Sequence, residues 1–284
     1  MAVDLLLATS SDWAGGEPGH EHLDAALAER SVRARWALWD DESVDWSEAL
    51  VAVRSTWDYE TRRNDFLAWA RSVPRLLNGA DVFAWNTDKA YLVELDAAGV
   101  PVVPTLVVDG EEELPQAIAS FGTAVVKPRV GAGGRGVVVF DGTEGGPSDL
   151  DESMLGPGPW VAQPLVASVR TEGEGSVFVL GGEVVSAVQK RPAAGEIRVH
   201  EQYGGSTVAV PVTDEARALA RRTVAGAEAL LGHALDYARV DHMRLDDGTL
   251  AVSELEVTEP GLYLDELPGN GAAFAAMVAA RVDA

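Results

Sequence analysis

The chain has 284 residues, and 22 Lys and Arg against 45 Asp and Glu leave a formal charge of −23. An apolar fraction of 47% is ample for a packed core, so disorder is not the default, and the acidic excess argues against nucleic acid or a basic membrane-surface role, both of which need clustered cations. Without cysteine there can be no disulfide, thiolate nucleophile or cysteine zinc site.

The length predicts one large domain or about two smaller ones. Met1 to Leu7 lacks a charged leader region, and no later apolar run approaches ~18 residues, so a soluble cytoplasmic protein is expected. Val3 to Ala8 reads as a buried strand, His22 to Glu29 as a helix with Leu23, Ala26 and Leu27 inward, and Val32 to Leu38 and Leu50 to Val53 as further strands. This β-α-β rhythm predicts a small parallel sheet with helices packed on it. Its last strand runs into Arg54-Ser-Thr-Trp-Asp-Tyr59, a polar and aromatic cluster at a strand's carboxyl end, where ligands collect in open α/β sheets.

Phe66 to Leu77 follows as a helix, and Asn86-Thr-Asp-Lys89 opens another that runs through Leu95. Leu106 to Val108 is a strand, Glu111 to Phe121 a helix, and Thr123 to Lys127 and Val137 to Phe140 are strands on either side of a glycine loop. The Gly-, Pro- and Asp-rich stretch from Asp141 to Pro159 reads as surface loop or domain junction. Strands are then expected at Trp160 to Gln163, Ser176 to Leu180, Glu183 to Gln189 and Leu250 to Val257, with a long helix at Asp214 to Leu231 and a tight hairpin at Gly181-Gly182.

The basic residues divide into 19 arginines and only three lysines, Lys89, Lys127 and Lys190. The last two follow apolar strands, where an ammonium costs desolvation unless an anion meets it. Gly131, Gly133 and Gly136 satisfy the spacing of a dinucleotide-binding loop, but that mechanism needs a helix next, and Val137 to Phe140 are strand formers. No Gly-Lys-Ser/Thr closes a P-loop either. What remains is a strand, glycine loop and strand, whose backbone amides can approach phosphate oxygens beside Lys127.

The second constellation is acidic. Glu254 and Glu256 stand at i and i+2, on one face of a strand, and Asp241 ends another apolar segment. Converging carboxylates without cysteine or paired histidines suit a hard cation, Mg²⁺ or Mn²⁺, although in a chain with 45 acids such a pair on a wet strand face is common.

In this order the motifs resemble the ATP-grasp superfamily of ligases from about Asn86 to Leu264. The resemblance implies an α/β ATP-grasp fold with an amino-terminal parallel α/β domain. Its expected division is 1–85 for that substrate-side domain, 86–160 for a central subdomain with the flap, and 161–284 for a carboxyl-terminal subdomain with the metal site. It implies nucleotide contacts from Lys89, Lys127, Gly131, Gly133, Gly134 and Gly136, with Gln163 and Leu165 beside adenine and Glu174 on the ribose. Arg198 and Lys190 would act catalytically at the γ-phosphate, and Asp241, Glu254 and Glu256 would hold the metal. Glu256 departs from the superfamily, which usually has Asn there.

Arg54-Ser-Thr-Trp-Asp-Tyr59, Trp85 to Lys89 and Glu254-x-Glu256-x-x-Glu259-Pro260 look like the ATP-grasp subgroup that includes the cycloserine-forming O-ureido-serine cyclo-ligase. This implies ATP- and Mg²⁺-dependent activation of a small amino-acid-like carboxylate as an acylphosphate, then intramolecular attack by an amine. Arg54 would take the substrate carboxylate, with Trp57, Asp58 and Tyr59 lining the pocket and Asp58 facing an amino group. An intermolecular amino-acid or peptide ligase is the alternative. A non-catalytic ATP-binding module is disfavoured, because it needs neither Arg198 nor three metal carboxylates. No nucleic-acid or membrane partner is expected, and a homo-oligomer stays open.

Overall fold

Leu5–Thr9 (β1) and Leu50–Val53 (β3) are buried along their whole length because both faces of each strand are covered, and all but Thr9 are apolar. The computed structural model describes residues 3–141 and 155–282, so most of the loop expected from 141 to 159 lies outside the described residues. β1 is the centre of a parallel sheet of order β2-β1-β3, with Ala34–Leu38 as β2. On one face Leu5 and Leu7 pack with Leu23 and Leu27 of α1 (His20–Glu29) and with Phe274 and Val278 of α7 (Pro268–Val282). On the other, Leu6 and Ala8 meet Phe66 of α2 (Arg63–Ser72) and Phe83 of α3 (Ala80–Asn86).

The parallel sheet matches the sequence expectation; α3 and α7 have no counterpart in it. α2 begins earlier than predicted and stops at Ser72, because Pro74 pushes Val73 out of helical backbone to ψ 111°. The motif Asn86 to Lys89 therefore does not open a helix: it joins the end of α3 to α4 (Tyr91–Ala97).

Leu106–Val108 (β4), Thr123–Pro128 (β5), Val138–Asp141 (β6) and Trp160–Pro164 (β7) form an antiparallel sheet of order β4-β7-β5-β6. The glycine loop joins β5 to β6 as a hairpin, Val126 opposite Val138, with no helix after it. The acidic segment expected as a helix over 111–121 is a 3₁₀ turn at Glu111–Glu113 leading into α5 (Leu114–Ala119).

The third sheet is antiparallel, of order β10-β9-β8-β11-β12: Glu174–Leu180 (β8), Glu183–Arg191 (β9), Ser206–Val210 (β10), Tyr237–Arg244 (β11) and Leu250–Glu256 (β12). Gly181 and Gly182, both at positive φ, make the tight β8-β9 turn. Asp214–Leu231 (α6), capped by the Thr213 side chain and ended by Gly232 at φ 82°, lays Leu219, Ala220 and Ala227 into the core shared with Val177, Val240 and Val252.

β12 is the edge strand, and its free backbone groups are covered by side chains from the helix junction. Asn86 donates to the Leu255 carbonyl at 2.6 Å and accepts from the Val257 amide at 3.0 Å, and the Tyr91 hydroxyl accepts from the Leu255 amide at 2.8 Å. Asn78 makes a similar clamp between the amino-terminal domain and the third sheet, donating to the carbonyls of Tyr237 at 2.9 Å and Val257 at 2.7 Å. Among the described residues no helix is long and apolar enough to cross a membrane.

Candidate active site

A cavity of about 630 Å³ is lined by the two antiparallel sheets and by Trp57 and Tyr59 from the turn after β3. Strand alternation decides what it contains. Lys127 projects from β5, Lys190 from β9, Arg239 and Asp241 from β11, and Glu254 and Glu256 from β12, all toward the same space. With Lys89 from the helix junction, all three lysines of the chain line it.

The lysines are not equivalent. Lys89 donates to the Gly131 carbonyl at 2.7 Å and sits 3.1 Å from Glu254 Oε1. Lys190, only 2% exposed, lies 2.7 Å from Glu174 Oε2 and 3.0 Å from Asp241 Oδ2. Lys127 makes no hydrogen bond or ion pair among the described residues, and burial pushes its ammonium below the ordinary lysine value. Of the three lysines it alone has no side-chain partner among the described residues.

The acids are similarly sorted. Asp241 is 2% exposed, and Arg239 takes both its oxygens at 2.9 Å while Lys190 takes one of them. Burial opposes its ionisation, yet Arg239 and Lys190 hold it well below the usual carboxylate range. Glu254 is also depressed, burial being outweighed by Lys89 and then Lys127. Glu256 goes the other way. Burial pushes it up to about 8 although it pairs with Arg239, and Asp241, Glu254 and Glu259 add repulsion. Glu259 is raised to about 7, again mainly by burial.

All three carboxylates expected at the metal line the cavity, but Asp241 is paired with Arg239 and Lys190. Among the described residues no group of three His, Asp or Glu is arranged to hold a metal ion. Glu254 and Glu256 remain, both on the cavity face of β12. Two carboxylates on one strand face fit Mg²⁺, which takes one or two carboxylates and completes its shell with phosphate and water.

The other expected site residues divide between the cavity and the surrounding core. Arg54 does not line the cavity: it is fully buried, donates to Glu17 Oε1 at 2.9 and 2.8 Å and to the Pro260 carbonyl at 2.5 Å, and stacks on Phe274 at 4.9 Å. It is a packing element between the amino-terminal sheet and the carboxyl-terminal segment. Asp58 also misses the cavity, accepting from Trp39 Nε1 at 3.0 Å and pairing with Arg62 at 2.9 Å. Trp57 and Tyr59 do line it, Trp57 donating to the Glu259 carbonyl at 3.0 Å.

Glu174, expected on a ribose, is instead taken by Lys190 and by the Ser253 hydroxyl at 2.6 Å. Arg198 lines the cavity but is held by Glu196 at 2.5 Å, with Tyr203 stacked 3.6 Å beneath it. Gln163 and Leu165 line the apolar end with Val103 and Met243. The Leu165 amide already donates to the Thr123 carbonyl at 3.0 Å, so its contribution there is apolar surface. Gly131, Gly133 and Gly134 line the cavity; Gly136 does not, and a side chain on it would strike Pro128 at 2.9 Å.

Sequence reasoning missed Arg239, Glu259, His200 and Glu60. Arg239 was findable, because it lies two residues before Asp241 on one strand and must share its face. His200 lines the cavity with an unpartnered Nδ1, and burial lowers its pKa. No spacing pattern pointed to it.

Comparisons with known proteins place the chain in a family. Residues 5–78 match the model of the D-cycloserine synthetase DcsG amino-terminal domain, and residues 91–235 that of the prokaryotic glutathione synthetase ATP-grasp domain. The cycloserine biosynthesis protein DcsG of Streptomyces lavendulae is 32% identical over 275 residues, covering 88% of this chain and 89% of that protein. A protein of Mannheimia succiniciproducens named "Probable alpha-L-glutamate ligase" is 30% identical over 200 residues, 69% of this chain and 63% of its own length. The crystal structure of D-cycloserine synthetase DcsG superposes with a TM-score of 0.87 at 29% identity, over 98% of this chain and 99% of that one. D-alanyl-alanine synthetase A from Vibrio cholerae shares the fold alone, with a TM-score of 0.68 at 15% identity over 100% of this chain and 98% of that one.

Proposed function

Because this chain belongs to the prokaryotic ATP-grasp ligases and carries the amino-terminal domain of the D-cycloserine synthetases, we propose that it closes a ring within one small amino-acid-like substrate. The reaction class is ATP-dependent ligation of a carboxylate to an amine, with a divalent cation, proposed as Mg²⁺. The carboxylate takes the γ-phosphoryl group to give an acylphosphate and ADP, and a nitrogen of the same molecule, an amine or a ureido N–H, then attacks the carbonyl, expelling phosphate and giving up its proton. O-ureido-serine is the first compound to test.

The observation that carries this reading is the shared cavity. Its phosphate-type lining from β5 and β9 is continuous with the aromatic turn at Trp57 and Tyr59, which belongs to the amino-terminal domain. In it, Lys127 holds the phosphates as a point charge, and Lys89 orients the flap through Gly131. Glu254 and Glu256 would hold the cation, which would supply neutralisation of the charge on the transferring phosphoryl group. The apolar end at Leu165, Val103 and Met243 receives the adenine. Glu259 and Tyr59 face the substrate half, and an acidic carboxyl beside aromatic surface favours a cationic amine there. The flap excludes water from the acylphosphate.

Phosphate release from ATP and Mg²⁺, screened against amino-acid-like compounds singly and in pairs, tests the proposal. Turnover with O-ureido-serine alone supports ring closure. Turnover only with pairs establishes the intermolecular reading, which the glutamate-ligase relative favours. Nucleotide binding without turnover across the whole panel removes both.

A further inference from the structure

The glycine flap is fastened to the amino-terminal domain as well as to the nucleotide side. Glu60 follows Trp57 and Tyr59 in the same turn and is 13% exposed. Its carboxylate accepts a hydrogen bond from the Ala132 amide at 2.8 Å and pairs with Arg135 Nε. The other end of the Arg135 guanidinium donates to the Trp57 carbonyl at 3.1 Å. On the opposite flank the flap carbonyls are held by Lys89, through Gly131, and by Gln202 Nε2, through Gly133 at 2.7 Å.

We propose that Glu60 is a positioning residue that latches the flap to the aromatic turn, so that the flap closes in register with the substrate half of the cavity. The proposal rests on reading that cavity as the nucleotide and substrate site. By engaging the Ala132 amide and Arg135, Glu60 fixes which flap groups stay free. The amides of Gly133 and Gly134, both at positive φ, donate to no protein acceptor among the described residues, and they remain to meet phosphate. A carboxylate is suited to this work because its bonds to an amide and a guanidinium are charge-assisted and strong when partly desolvated. The latch also ties the flap to the residues that touch substrate, so a displaced turn displaces the flap.

The test uses the full chain and the variants Glu60→Ala, Glu60→Gln, Arg135→Ala and the double variant Glu60→Ala/Arg135→Ala. Hydrogen exchange of residues 131–136 in the ligand-free protein should quicken severalfold in Glu60→Ala, at an unchanged melting temperature. The KM for ATP should rise about tenfold, the equivalent of about 1.4 kcal/mol, while kcat changes less. Glu60→Gln, which still offers Ala132 an acceptor, should fall between. The double variant should be no worse than Glu60→Ala, because the two residues act as one unit. Parental flap exchange in Glu60→Ala, or additive penalties in the double variant, overturns the proposal. Should Glu60→Ala not fold, parental exchange in Glu60→Gln overturns it instead. Ligand-free exchange needs no turnover, so an inactive parent chain sinks the functional reading without deciding the latch.

Discussion

Lys190 reaches over strand β8 to Asp241, Nζ to Oδ2 3.0 Å, although their strands β9 and β11 are not neighbours. Glu174 of β8 lies beneath and takes the same ammonium at 2.7 Å. The lysine and the aspartate are therefore satisfied by each other. In a low-dielectric cavity such a closed pair is costly to break and offers little net attraction to a ligand.

That closure makes Lys127 the cation with most to gain from phosphate. Lys127→Ala should lower ATP turnover about a hundredfold or more, as removal of one preorganised charge from a transferring group does. Stability should not fall, because burial already disfavours the ammonium. Phosphate release and a thermal melt on one preparation check both. Parental turnover removes Lys127 from the nucleotide site, and an unfolded variant makes it structural.

Glu256 carries two consequences. It is raised to about 8 from an ordinary 4.5, so in the ligand-free protein it costs stability progressively as pH rises through that window, and nothing below it. Glu256→Gln should therefore melt higher than the parent at pH 8, with the gap closing by pH 5. The same variant should need several-fold more Mg²⁺ for half-maximal activity. A melting gap that ignores pH, or an unmoved Mg²⁺ titration, separates Glu256 from these roles.

Arg54 is expected to behave as structure. Truncating one partner of a buried ion pair costs about 3–5 kcal/mol, so Arg54→Ala and Glu17→Gln should both lose most of their folding stability in urea titrations. A stable Arg54→Ala with only a raised KM for the amino-acid substrate would return Arg54 to the substrate site.

Asn86→Ala should leave the Leu255 carbonyl and Val257 amide without partners at the sheet edge. Each buried unpaired group costs about 1–3 kcal/mol. Since Leu255 lies between Glu254 and Glu256, the variant should weaken Mg²⁺ dependence along with stability. Loss of stability with an unchanged Mg²⁺ titration would show that Asn86 does not position the two carboxylates.

Much of this was legible in one dimension. Alternation and apolar runs marked β3, β4 and α6 at their observed bounds, because their cores demand a period that short-range pattern reveals. α3 escaped because it is seven residues long, and α7 because its Ala-rich run is apolar almost all round and has no polar face to set a period. The glycine hairpin was separable from a dinucleotide loop by the valines after it, whose strand preference excludes the helix such a loop requires.

The sequence by itself singled out most of the charged residues that enter the cavity. Three lysines in a chain of 19 arginines, and carboxylates two apart on a strand, all arrive there, the carboxylates together because strand alternation gives i and i+2 one face. Only the tertiary structure decided which of those charges are free. Arg54 and Glu17 are 37 residues apart and cancel inside the core, Lys190 closes on Asp241, and Glu60 binds a flap 72 residues later. Pairing depends on distance in space, and a buried charge is either compensated by a neighbour brought from far along the chain or left waiting for a ligand.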